Sequence, residues 1–298
     1  MNFKTIRANA LLLFIAIVWG VSFVAQDSAG EKLAQGTFII NCSRFFIGGL
    51  AVLPIALITN KKEHSRSEGA PTKITVICGI LCGISLFAAS GLQQYGMILG
   101  TPAGKSGFLT AMYVVFVPII GLFMKKRISL PCLFAVILAP VGLYMLCIKN
   151  DFSMSVSDIV VIGCAVCYSA QIMLIDSFTK KCNPWLMSSV QFLTVSVLAG
   201  ACMLIFEREY IGEIVKIIPE VLYLGIFSSG VGYTLQMVAQ KDTNPTVASL
   251  LMSLESVFAL LSSIIILGTK PTVREWIGCG IMFMVIVLSQ IPTRKANE

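Results

Sequence analysis

Residues 93–127 read QQYGMILGTPAGKSGFLTAMYVVFVPIIGLFMKKR, from Gln93 to Arg127. The apolar run over 104–124 has the length of a helix that crosses the hydrocarbon core of a bilayer, about 20 residues. A turn of Gly100, Thr101 and Pro102 separates it from an earlier apolar run, and Lys125, Lys126 and Arg127 close it. Helix, turn, helix and a cluster of cations is the pattern of a chain that crosses a membrane repeatedly.

Working outward, apolar segments of similar length lie at 8–27, 36–58, 73–97, 104–124, 130–148, 156–177, 185–206, 218–240, 245–267 and 273–291. The expectation is an all-α integral membrane protein of about ten transmembrane helices. Composition points the same way. Of 298 residues, 56% are hydrophobic and 12% charged, with a mean hydropathy of +0.87. Soluble domains carry about 25% charged residues, and a globular chain of this size cannot bury so much apolar surface. Lys4 and Arg7 precede a first apolar run that reaches about Gln26, too long for the core of a signal peptide, so it is read as a retained span.

The net charge of +7 comes from cations gathered between the apolar runs, which predicts orientation and not a nucleic-acid partner. With the N-terminus cytoplasmic, the inside set is Lys4, Arg7, Lys61, Lys62, Arg66, Lys73, Lys125, Lys126, Arg127, Lys180, Lys181, Lys241, Arg294 and Lys295. The outside set is Lys32, Lys105, Lys149, Arg208, Lys216, Lys270 and Arg274. Fourteen against seven places both termini in the cytoplasm of a multi-pass cell-membrane protein.

The chain repeats itself. Ala16, Trp19, Asp27 and Ser28 align with Ala165, Tyr168, Asp176 and Ser177 at a spacing of 149. Gln93, Pro102, Ser106, Thr110 and Val114 align with Gln236, Pro245, Ser249, Ser253 and Val257 at a spacing of 143. Two units, 1–150 and 151–298, each hold five spans. An odd number makes the second enter the bilayer from the opposite side, so the expectation is two inverted five-helix repeats. Secondary transporters use this plan, with the substrate site near the midplane between repeats.

Two charges fall well inside spans, Arg44 in the second and Glu255 near the middle of the ninth. Such a charge costs about 2.5–3.5 kcal/mol to insert and therefore faces protein or water. Glu255 is the candidate coupling or substrate-binding group, with protons as the candidate coupling ion. Arg44 reads as substrate contact or as a structural charge. A second set is polar and aromatic: Trp19, Ser22 and Gln26 on one face of span one; Phe87, Ser90, Gln93 and Gln94 in span three; Thr110 and Tyr113 in span four; Tyr168 and Gln171 in span six; Tyr233, Gln236 and Gln240 in span eight. Aromatic walls with a few hydrogen-bonding groups suit a small-molecule cavity. Gly79 and Gly83, four residues apart, predict close approach of a neighbouring helix.

Other chemistries fit poorly. Gly100 to Ser106 imitates a phosphate loop, but three residues separate its glycines where four are needed, and no strand precedes it. His64 is the only histidine, which leaves no basis for a histidine metal site, and no cofactor is expected. Cys164 and Cys167 have the spacing of a redox pair without a second pair or a nearby histidine, and buried thiols are the better reading.

The sequence resembles the drug/metabolite transporter superfamily, specifically its EamA-type ten-helix exporters. The resemblance rests on Trp19-Gly20, on Asn41, Arg44 and Phe45, on the stretch Gln93–Arg127, on SLESVFALLSSIIILG from Ser253 to Gly268, and on Trp276-Ile277-Gly278. It implies a central cavity open to one side at a time, with Trp19, Gln93, Gln94, Tyr113, Tyr168, Gln236 and Glu255 around it, and export of amino acids or related metabolites without ATP. Two departures stand out. Ser256 follows Glu255 where relatives usually carry proline, which predicts a span nine without its kink. Thr269 and Lys270 stand where an acidic residue often follows the glycine. The function expected is secondary transport of small metabolites by alternating access, with a lipid-headgroup flippase or a non-transporting scaffold or sensor as alternatives. Solute, direction and oligomeric state are left open.

Overall fold

The computed structural model describes residues 3–33, 36–65, 70–126, 128–148, 154–268 and 270–291. Thr269, and Arg66, Arg127, Lys149, Arg294 and Lys295 of the orientation tally, lie outside the described residues. Among the described residues, all regular structure is helical.

Three long helices come first: α1 (Phe3–Lys32), α2 (Thr37–Ser65) and α3 (Thr72–Ile98). Span four is split into α4 (Ala103–Ala111) and α5 (Tyr113–Phe123), and span five is α6 (Leu130–Cys147). The second half begins with α7 (Val156–Phe178) and α8 (Pro184–Phe206). Span eight is composite: a 3-10 stretch (Arg208–Ile217), α9 (Ile218–Tyr223), a π-helical stretch (Leu224–Tyr233) and α10 (Thr234–Gln240). Span nine is split into α11 (Pro245–Met252) and α12 (Glu255–Leu267), and span ten is α13 (Val273–Ser289). Nine of these passes are long and apolar enough to cross a membrane, and α13, at 17 residues, is the tenth helical pass.

Local chemistry explains the starts. Ser155 and Asp158 form a capping box at α7, and Thr272 and Glu275 form one at α13. The side chain of Asn183 accepts from the backbone of Trp185 and Leu186, with Pro184 in the first turn of α8. The start of α2 is capped from a distance. The Glu207 carboxylate, at the end of α8, accepts from the backbone N–H groups of Phe38 at 3.0 Å and Ile39 at 2.8 Å.

The helices pair in a two-fold pattern. Spans two and seven cross each other, as do spans five and ten. The pairing of three with six has its mate in eight with one, three with seven in eight with two, and one with nine in six with four. Exchanging the halves maps each pairing onto another, which is the signature of two repeats. With five spans in each, the repeats are inverted. Close approach is built on small residues: a methyl added to Gly79 or Gly83 would meet Val190 or Thr194 of α8 within 2.8 Å or 2.6 Å. The outward faces are apolar and exposed, for example Phe14 and Ile17 of α1 and Ile77, Ile80 and Ile84 of α3, as lipid-facing positions require.

Span nine departs from expectation. It is broken at Ser253 and Leu254 although no proline stands there. The Ser253 hydroxyl donates to the Leu250 carbonyl, and the backbone of Leu254 and Ser256 turns to partners three residues back, Leu251 and Ser253. Span four breaks in the same manner at the matching place, where Met112 bonds back to Leu109 and Val115 to Met112.

Candidate functional site

The two breaks face each other. Tyr113 is the first residue of α5 and Glu255 the first of α12, and the tyrosine hydroxyl donates to the Glu255 carboxylate at 3.1 Å. The two breaks thus bring the first residues of two half-helices, one from each repeat, to one region in the interior. Around it lies a cavity lined from spans one, two, three, four, six, eight and nine. Trp19, Gln93, Thr110, Tyr113, Tyr168, Gln171, Gln236, Glu255 and Arg44, singled out in the sequence, all line it. The cavity is small, about 40 Å³ measured at the centres of water-sized molecules. That is room for about three waters, at roughly 10–15 Å³ each.

Aromatic side chains form one wall. Trp19 packs on Tyr233 with ring centroids 4.8 Å apart, and its indole N–H donates to the Ser228 carbonyl at 3.1 Å. The hydroxyls of Tyr168 and Tyr233 are 3.1 Å apart. Phe45 and Phe192 lie against Tyr233 from behind, at 6.0 and 6.3 Å, and hold its ring in place. Gly232 makes the fit between Trp19 and span eight: a Cβ there would stand 2.5 Å from the indole nitrogen.

Amides and hydroxyls form the rest. Gln93 donates to Thr110 at 3.0 Å, and Thr110 lies 3.6 Å from the Cys164 thiol. Gln171 donates to Gln191 at 3.3 Å, and Gln236 to Gln240 at 2.9 Å, which leaves the side-chain carbonyl oxygens of Gln171 and Gln236 buried without a protein partner. Arg44 is 2% exposed. Its Nη1 donates to Gln26 at 3.2 Å, while its Nε and Nη2 have no protein partner. It does not pair with Glu255, which is 5% exposed.

Four predicted residues are not brought to the cavity: Phe87, Ser90, Gln94 and Gln240. Gln94 is buried on another side of α3, facing α1, where a methyl added to Gly30 would lie 3.4 Å from its amide nitrogen. Adjacent residues on a helix point about 100° apart, so Gln93 and Gln94 cannot share one narrow face. Sequence reasoning also passed over Ser228, Phe23, Ile172 and Met252. Ser228 sits in the π-helical stretch, where the usual helical period misplaces side chains. Its only signal in the sequence is the small run Ser228-Ser229-Gly230 in mid-span.

Ion pairs join the halves at both ends of the bundle. Lys105–Asp158 and Lys32–Glu220 lie at one end, and Lys126–Asp176 and Arg7–Asp242 at the other.

Ten helical passes in two inverted repeats around a buried polar cavity define a multi-pass membrane protein with the architecture of a transporter. The EamA-like transporter family matches residues 6–148 and again 155–290, and the chain belongs to that family. It is 27% identical over 291 residues to a protein of Archaeoglobus fulgidus described as an uncharacterized transporter, a match spanning 96% of this chain and 86% of the relative. A Clostridium kluyveri protein with the same description is 22% identical over 302 residues, covering 98% and 96% of the two chains. A solved crystal structure superposes with a TM-score of 0.77 over 95% of this chain and 96% of its own, at 17% identity, which shows the shared fold. The protein is therefore a transporter, with a small-molecule solute and the lipid bilayer as its partners.

Proposed function

We propose that the protein is a secondary exporter of small metabolites, amino acids or related compounds, working by alternating access between repeats 1–150 and 151–298. The observation that carries this reading is the buried cavity between the repeats, where Glu255 and Tyr113 meet beside two broken spans. Its binding residues are Trp19, Gln93, Thr110, Tyr113, Tyr168, Gln171, Gln236 and Glu255. Gln94 lies off this lining, and its buried side-chain amide has no protein partner. A space of about 40 Å³ is too tight for an amino acid, so the repeats must part to admit one. The ion pairs at the two ends are the contacts that opening on either side would break. Proton coupling is assigned to Glu255, the mid-span carboxylate, and the cation bias supports both termini lying in the cytoplasm of the cell membrane.

The test is flux from proteoliposomes loaded with a mixed pool of amino acids and common metabolites, with and without an imposed pH gradient. Selective efflux, accelerated by the gradient in the native protein but not in Glu255→Gln, is expected. Gradient-driven flux retained in full by Glu255→Gln would remove the coupling role. Folded protein that moves no solute of the pool would shift the reading to a lipid substrate or a scaffold.

A further inference from the structure

We propose that Arg44 is the carboxylate-recognition residue of the cavity, and that the transported solute is a zwitterion whose carboxylate docks on Arg44 and whose ammonium faces Glu255. This rests on the metabolite-transport reading above and narrows its substrate class.

The argument starts from which donors of the guanidinium are engaged. Nη1 is held by the Gln26 side chain at 3.2 Å. Gln26 is itself 5% exposed and lines the same cavity, so it fixes the plane of the guanidinium. The two unpartnered nitrogens are Nε and Nη2. Those two carry parallel N–H bonds along one edge of the fork, the edge that grips both oxygens of a carboxylate. A structural arginine in a membrane interior spends its donors on backbone carbonyls or a carboxylate. Arg44 does neither, although it is 2% exposed. The guanidinium lies 4.7 Å from the centroid of the Phe45 ring, which satisfies part of its charge, and its bidentate edge stays unused until an anion engages it.

The other pole is Glu255. Its Oε1 already accepts from Tyr113, and a carboxylate has further lone pairs for an ammonium. The amide oxygens of Gln171 and Gln236, on residues of the same lining and without protein partners, add acceptors. The lining residues therefore hold a cation with an unpartnered edge, a carboxylate and spare amide acceptors, walled by Trp19, Tyr168 and Tyr233; the edge and the amide oxygens are sealed in this state and reached by solute when the repeats part. One fork and one carboxylate match a molecule with a single negative and a single positive group. A doubly charged phosphate would meet one cation and be repelled by Glu255.

The test is counterflow of labelled mixed amino acids in proteoliposomes, competed by equal pools of the free amino acids, their carboxamides, their decarboxylated amines, and inorganic phosphate. The free acids should compete, and the carboxamides and amines should compete about tenfold or more weakly, the scale of one lost charge-assisted hydrogen bond. Phosphate should not compete. In Arg44→Gln, uptake of the acids should fall and the acid-to-amide ratio should approach one, while Arg44→Lys, which keeps charge but not the fork, should lie between. Equal competition by acids and amides in the native protein would overturn the assignment even if every Arg44 variant failed to fold. Stronger competition by phosphate would also overturn it. Absence of counterflow for the whole pool would instead remove the metabolite-transport reading itself, and this proposal with it.

Discussion

The hydroxyl of Tyr113 and the carboxylate of Glu255 are joined by a 3.1 Å hydrogen bond between the first residues of two half-helices, one from each repeat. The bond bridges the halves at the point where each span is interrupted. Tyr113→Phe removes the donor and leaves a buried carboxylate oxygen short of a partner, which costs about 1–3 kcal/mol. Thermal unfolding in detergent should show that loss. Combined with Glu255→Met, which removes the acceptor, the two costs should not add, because both act on one contact. Additive shifts would mean that the bond contributes nothing.

Gly232 and Gly91 offer a controlled comparison. A Cβ at Gly232 would lie 2.5 Å from the Trp19 indole nitrogen, whereas one at Gly91 would meet nothing within 4 Å. Gly232→Ala should displace Trp19 from the Ser228 carbonyl and reduce flux severely. Gly91→Ala, in the interior of α3, should leave flux intact and raise stability by roughly 0.5–1 kcal/mol through helix propensity. Equal flux in the two variants would show that the position of Trp19 is immaterial.

Asp158 serves several groups at once. It accepts from the Ser155 backbone, the Thr101 hydroxyl at 3.1 Å and Lys105 at 2.6 Å, tying the start of span six to that of span four. Asp158→Asn should destabilise by roughly 2–4 kcal/mol. Lys105→Gln keeps a donor on a partly exposed side chain and should cost less than half of that. Denaturation midpoints for the two variants decide the order.

Glu207 caps a helix that is remote from it in sequence. Glu207→Gln removes the negative charge from the N-terminus of α2 and should cost about 1–2 kcal/mol. The loss should be local, read as faster hydrogen exchange at Phe38 and Ile39 while the amides of α6 and α13 keep their protection.

Much of this was legible in the sequence because membranes impose simple periods. The spans follow from apolar length, and the repeat from coincidences such as Gln93 with Gln236 and Trp19 with Tyr168. The cavity-facing positions in spans one and six follow from regular helical spacing, whereas in span three only Gln93 of the predicted face reaches the cavity. That logic ended where the helix was irregular: Ser228 lies on a π-helical turn, and Gln94 was separated from Gln93 only by the rotation of α3 about its axis. Contacts between distant charges were also hidden. Nothing in the local sequence of Glu207 says that it will cap α2, and nothing near Asp176 names Lys126 as its partner.

The break in span nine has a further meaning because no proline makes it. A proline lacks an amide hydrogen, so an interruption built on one is permanent. The break in span nine rests instead on backbone N–H groups that turn to carbonyls three residues back, Leu254 to Leu251 and Ser256 to Ser253, and such bonds can shift to partners four residues back. The break is in that sense a latch: with those bonds in place Glu255 is the first residue of a short helix, and with them shifted it would be an interior residue of a long one. Ser256→Pro would weld the latch in its broken form. A transporter that depends on both forms would then still bind its solute but no longer turn over.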